Sequence, residues 1–164
     1  ITKLDAGSIV LEKKPEDVAE MMNNVELRFS YRAEQEQKKL VLFGEEDIFL
    51  SCDRDWILEA VDNIVKNAMD HTKSGDTIEI KWRKSASIVQ IQIKDNGSGI
   101  HPEDLHHIFK RFYRSRFSKD QQGIGLGLPL AKMIIEAHNG TIEVNSELGK
   151  GTMFTISFLI PIKL

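Results

Sequence analysis

The chain has 164 residues, 41% of them hydrophobic and 29% charged, which fits one domain with one sizeable core. Its formal net charge of −3 argues against a nucleic-acid partner, because binding a phosphate backbone requires a basic surface. The single cysteine, Cys52, excludes an internal disulfide and reads as a small buried apolar residue in a reducing compartment.

Residues 1–7 read as the end of an incoming helix closed by Gly7. Residues 8–13 alternate, with Ile9 and Leu11 on one face, and predict a strand. Pro15 suits the first turn of a helix over 15–33, whose apolar stripe is Val18, Met21, Met22, Val25 and Phe29. Residues 40–43 and 48–52 predict a hairpin around Gly44. A second helix is expected over 54–71, burying Ile57, Val61, Ile64, Val65 and Ala68. Strands follow over 77–83 and 88–95, with Ile78, Ile80, Trp82, Val89, Ile91 and Ile93 inward. Residues 102–108 predict a short helix, and 110–123 a loop. A third long helix covers 124–138 and stops at Asn139-Gly140; 141–146 and 152–160 close the chain as a hairpin. Hairpins separated by three long helices give an α+β fold class: a two-layer α/β sandwich, with a mixed, mostly antiparallel sheet covered on one face by the helices.

Four stretches carry chemistry. On the second helix Glu59, Asn63, Asn67 and Asp70 fall on one stripe opposite the apolar face. Asparagine is a poor helix former, so its choice over Lys or Glu needs a reason. Its carbonyl oxygen suits Mg2+; a solvated helix face is the alternative. Next, Asp95-Asn96-Gly97-Ser98-Gly99-Ile100 follows a strand. Gly97 and Gly99 allow a sharp turn and close approach to a ligand. The Asp95 carboxylate only accepts hydrogen bonds, which suits an exocyclic amine such as adenine's; a simple Asp-Gly turn is the alternative. Third, Gly123-Ile124-Gly125-Leu126-Gly127-Leu128 opens a helix, where free N–H groups and the macrodipole favour phosphate; a helix-packing glycine cluster would look the same. It is neither a dinucleotide fingerprint nor a Walker A loop. Fourth, Gly149-Lys150-Gly151-Thr152 precedes the last strand and by itself is a hairpin turn. Between the second and third stretches, residues 110–120 hold five basic residues and one acidic one. They read as a solvated loop or as a lid whose cations reach phosphate.

In this order and spacing the motifs resemble the ATP-binding domain of bacterial sensor histidine kinases, within the superfamily shared with DNA gyrase, Hsp90 and MutL. The resemblance covers residues 8–161 and implies a Bergerat-type fold. Residues 63–68 look like the N box, 95–99 the first glycine box, 109–112 the F box, and 123–128 and 149–152 the second and third glycine boxes. The resemblance implies ATP and Mg2+ as ligands. Asn67 would ligate the metal, with Asn63 assisting near the phosphates. Asp95 would bind the adenine amine, supported by Thr152. Gly97 and Gly99 would shape that turn, and Gly123, Gly125, Leu126 and Gly127 would line the triphosphate. Ile100, Ile108 and Leu128 would wall the base, with His71 beside it. Arg114 would reach the γ-phosphate at transfer. The sequence departs from the pattern at Asp70, where many family members carry a basic residue. An acid there repels phosphate unless Lys66, Lys73 or the metal offsets it.

The superfamily's ATPases place a water-activating Glu where this chain has Asn63, and an amide cannot take a proton at neutral pH. The chemistry expected is therefore γ-phosphoryl transfer to a histidine. None of His71, His101, His106, His107 and His138 fits the family's phosphoacceptor; apart from His101, they read as surface or capping residues. The acceptor is expected in an absent dimerisation domain, with residues 1–7 as the end of its linker and 8–164 as the catalytic domain. That picture implies a cytoplasmic domain of a membrane receptor and a response regulator downstream. This chain would be monomeric, without membrane contact, inside a homodimeric kinase. No apolar run approaches the roughly 18 residues of a membrane span, and the opening Ile1 fits a piece of a longer protein. The rival readings are an ATP-hydrolysing clamp of the superfamily, a non-catalytic nucleotide-binding module, and a serine kinase of the same fold acting on an anti-sigma antagonist.

Overall fold

The computed structural model describes residues 9–113 and 127–161. The expected linker at residues 1–7 lies outside them. The order of elements is β1 (Lys14–Asp17), α1 (Val18–Gln35), β2 (Lys39–Gly44), β3 (Phe49–Cys52), α2 (Arg54–Asp70), β4 (Thr77–Lys84), β5 (Ile88–Asp95), α3 (Gly127–Ala137), β6 (Gly140–Glu147) and β7 (Gly151–Leu159). A five-stranded sheet runs β2-β4-β5-β7-β6, and β1 pairs with β3 in a separate ribbon. Only β2 and β4 are parallel; the other neighbours are antiparallel. The three helices and the mixed, mostly antiparallel sheet form the expected sandwich.

One sheet face is apolar because strand side chains alternate. Ile78, Ile80, Val89, Ile91, Ile93, Phe154, Ile156 and Phe158 are buried against the helices. From beneath them α1 contributes Val18, Met21, Met22 and Val25, α2 contributes Ile57, Val61, Ile64 and Val65, and α3 contributes Ile134 and Ile135. The opposite face carries Lys81, Arg83, Lys94 and Glu143, all exposed.

Local structure departs from the sequence reading in four places. The strand expected over 8–13 lies at Lys14–Asp17, because the Glu12 N–H turns aside to Asp53 Oδ2 at 2.9 Å. Pro15 sits in that edge strand, where a missing N–H is tolerated, and not in the helix. The helix starts at Val18 because Asp17 is extended and accepts the Glu20 N–H at 3.1 Å. The expected hairpin around Gly44 does not form: β2 pairs with β4 and β3 with β1. Burial decides this, since Leu40 and Leu42 stand opposite Ile78 and Ile80 on the helix-covered face. The intervening α2 supplies the crossover that a parallel pair needs. Gly44 admits the Trp82 indole, whose N–H donates to the Glu45 carbonyl; a Cβ at Gly44 would lie 1.9 Å from that ring. Residues 102–108 are a chain of tight turns, with successive bonds from Asp104, His107 and Lys110 N–H to His101, Asp104 and His107 carbonyls. Too short to nucleate a helix well, this stretch closes local turns instead.

His138 is buried, not at the surface. It accepts the Asp53 N–H on Nε2 at 3.1 Å, while Nδ1 lies 2.8 Å from the Ile134 carbonyl. The neutral tautomer with its proton on Nδ1 satisfies both contacts. Burial, helped by Lys13, pushes the imidazole below its ordinary value of 6.5, and the bond to Ile134 opposes this. The unfolded chain therefore takes up a proton near pH 6.5 that the folded chain refuses until lower pH. His138 thus favours folding fully above that value, and its contribution falls as pH drops through it. Urea unfolding between pH 7.5 and 5.5 is expected to lose up to about 1.4 kcal/mol per pH unit below 6.5 on this account. His138→Gln should flatten that slope.

Candidate functional site

The apolar sheet face ends in a polar row. Asp95 on β5 pairs with Thr152 on β7, and Thr152 pairs with Ser146 on β6. Each continues its strand's inward series, after Ile93, Phe154 and Val144. Asp95 is 3% exposed and Thr152 5%. Burial pushes the Asp95 carboxyl above the usual carboxylate range; the Gly97 N–H, the nearby His71 and the Thr152 N–H pull it back. The Gly97 N–H donates to Asp95 Oδ1 at 2.9 Å.

Glycines let other segments close on this row. A Cβ on Gly97 would lie 2.2 Å from the His71 carbonyl. Gly99 (φ +76) passes Glu147, where a Cβ would lie 2.4 Å from the carbonyl oxygen. Gly151 (φ +125) passes Asp95, where the same atom would lie 2.0 Å from the Asp95 carbonyl. Hydrogen bonds fasten what the glycines admit. Ser98 N–H reaches the His71 carbonyl at 3.1 Å, and Gly149 N–H the Ser98 carbonyl at 2.8 Å. The first glycine turn is thereby tied both to the C-terminus of α2 and to the β6–β7 turn.

On α2, Asn63 and Asn67 are half-buried on the stripe opposite the core. Asn63 donates to the Glu59 carbonyl at 3.0 Å, and its Oδ1 would lie 3.2 Å from a Cβ on Gly127, at the start of α3. The N box and the end of the second glycine box therefore meet. Ile108 and Leu128 are partly buried against the core, and Ile100 donates its N–H to Ser146 Oγ. Phe109 meets Phe154 edge-on, with ring centroids 6.3 Å apart, and Lys132 stands 5.2 Å over its ring. The F box is thus anchored at this residue. Arg114, Gly123, Gly125 and Leu126 lie outside the described residues.

Asp70 is explained by its partners. Arg32 Nη2 meets it at 2.8 Å and Lys66 Nζ at 3.0 Å, so its charge is matched by two cations. Sequence reading weighed Lys66 here but missed Arg32, which comes from another helix with no local signal. It also missed Ser146. The available clue was a polar residue in phase with Ile142 and Val144 at the end of the strand.

A model of the histidine kinase-, DNA gyrase B-, and HSP90-like ATPase family matches residues 52–162. The chain is 34% identical over 163 residues to the sensor protein SrrB of Staphylococcus aureus (strain NCTC 8325 / PS 47), covering 98% of this chain and 28% of that protein. The chain thus spans little more than a quarter of the length of the curated relatives it matches. Full-length ShkA in complex with AMPPNP has the same fold, with a TM-score of 0.82 at 23% identity over 93% of this chain and 32% of that one. So does histidine kinase ThkA in complex with the response regulator protein TrrA, with a TM-score of 0.77 at 23% identity over 92% of this chain and 42% of that one.

The glycine contacts make a paired test. Gly149→Ala faces nothing within 4 Å and strains only a backbone at φ +83, so it should cost about 1 kcal/mol in urea unfolding. Gly151→Ala also collides with the Asp95 backbone and should cost about 3 kcal/mol or more. Equal losses would contradict the close approach.

Proposed function

This chain belongs to the histidine kinase-, DNA gyrase B-, and HSP90-like ATPase family, and we propose that it binds Mg-ATP and donates the γ-phosphate to a histidine on a dimerisation domain outside this sequence. What supports the reading is that Asn63 Oδ1 lies beside Gly127 at the start of α3, while the Asp95–Gly99 turn, with Thr152 across the ladder from Asp95, is bonded to the His71 carbonyl at the end of α2, the helix that carries Asn63. The adenine amine would donate to Asp95, with Thr152 beside it and Ile100, Ile108, Leu128 and His71 around the base. Gly97 and Gly99 would shape the turn, while Gly127, with Gly123, Gly125 and Leu126 before it, would line the phosphates.

The donor set suits Mg2+. Among the described residues no group of three or more His, Cys, Asp or Glu gathers into a metal cage. Mg2+ ordinarily takes few protein oxygens beside substrate phosphates and water, and the half-buried Asn67 side chain on α2 would offer its carbonyl oxygen as one of them. An ion held there by Asn67 would supply positive charge against that of the triphosphate. Asn63 stands where a hydrolase needs a base, and its amide takes no proton, so water is not activated from that position. A neutral imidazole needs no base to attack, so Asn63 positions and Arg114 offsets charge at transfer.

Residues 1–7 would lead from the dimerisation helices, and residues 8–164 form the catalytic domain. In the whole protein this domain would sit on the cytoplasmic side of a membrane receptor and act as a homodimer. A response regulator would take the phosphoryl group; ThkA, of the same fold, is seen in complex with one. No helix among the described residues is long and apolar enough to cross a membrane.

Calorimetry with ATP, with and without Mg2+, tests the reading. Asn67→Ala should weaken Mg-dependent ATP binding at least about tenfold, the loss of one charge-assisted contact. Binding equal to the parent chain would overturn the site. With labelled ATP the chain should stay unphosphorylated. Phosphate release above about one turnover per minute, abolished by Asn67→Ala, would favour the hydrolysing clamp.

A further inference from the structure

Ser146 Oγ has three polar neighbours. The Ile100 N–H donates to it at 2.7 Å, the Gly151 carbonyl lies at 3.0 Å, and Thr152 Oγ1 lies at 2.9 Å. A hydroxyl has one proton and two acceptor sites. The N–H occupies one site. A carbonyl only accepts, so the Ser146 proton goes to Gly151. The remaining site then receives the Thr152 proton. This is the arrangement in which all three contacts are hydrogen bonds. Turning the Ser146 proton toward Thr152 forfeits the bond to Gly151, in a place where Thr152 is 5% exposed.

Thr152 is therefore left with lone pairs only. Its neighbour across the ladder, Asp95, is a carboxylate that also only accepts, and both lie on the same face. We propose that Ser146 is a specificity-positioning residue: by holding the Thr152 proton it makes the base slot a surface of acceptors. Such a slot takes a purine with an exocyclic amine and disfavours one with an oxo group at the same position, because that oxygen sets acceptor against acceptor and leaves the neighbouring N1–H as the one donor on that edge. The inference rests on the adenine reading of Asp95 and adds a residue outside the glycine and N boxes. Ser146 does not touch the base; it acts through Thr152.

The test compares the dissociation constants of this chain for Mg-ATP and Mg-inosine triphosphate, whose base carries the oxo group. Ser146→Ala frees the Thr152 proton to turn and donate, so the preference for ATP should narrow about tenfold. Ser146→Thr keeps the hydroxyl and should keep the preference. Thr152→Val removes the hydroxyl that Ser146 orients and should narrow the preference as much as the double variant with Ser146→Ala does. It serves alone if melting shows that Ser146→Ala is unfolded. A parental preference in Ser146→Ala or in Thr152→Val overturns the proposal. Asp95→Asn separates the two levels. If it abolishes the preference while Ser146→Ala leaves it intact, only the Ser146 role falls. If Asp95→Asn keeps the preference, the adenine reading fails and the Ser146 role with it.

Discussion

A buried carboxylate is the constraint around which this fold is arranged. Asp95 ends a strand whose other inward residues are Val89, Ile91 and Ile93, so it enters a low-dielectric environment by register alone. An isolated charge there is expensive, and what compensates it must come from elsewhere in the chain. The Gly97 N–H turns back onto it, the Thr152 N–H arrives from the neighbouring strand, and His71 lies close at the end of α2. Those donors reach it only because Gly97 and Gly151 lack the atom that would keep the backbone away. A charge that is costly in the folded chain is well placed to be used by a ligand that can donate to it.

The second helix links this row to the rest of the molecule. Its apolar face is buried between α1, α3 and the sheet, which fixes the rotation of the helix. That rotation leaves Asn63 and Asn67 half-buried off the core face, with Asn63 beside Gly127 at the start of α3. The same rotation puts Asp70 within reach of Arg32 on α1, and with Lys66 this gives the acid two cationic partners. The core therefore aims the site, as packing on a rigid element does for functional groups generally.

The separate ribbon has a related role at the other end of α2. Asp53 follows β3, caps α2 through its side chain, and gives its own N–H to the buried His138 just past α3. The helices that carry the two asparagines and the second glycine box are thus joined at their far ends as well. Displacing either helix would break a bond that involves a buried imidazole.

The sequence by itself determined a good deal. Alternation at Ile78, Ile80 and Trp82, and again at Val89, Ile91 and Ile93, is a local property, and so is the 3.6-residue stripe of α2; these elements fell where periodicity put them. The four ordered motifs also named the family, because glycines and asparagines at such spacings carry their chemistry locally. The tertiary structure alone decided which strands pair. Nothing local distinguishes a hairpin around Gly44 from β2 pairing with β4 and β3 with β1, since the choice depends on which apolar face is covered from afar. It alone also assembled the Asp95–Thr152–Ser146 row and the Arg32–Asp70 pair. Those partners are separated by long stretches of chain, and hydrogen-bond geometry across strands and helices leaves no periodic trace in a sequence.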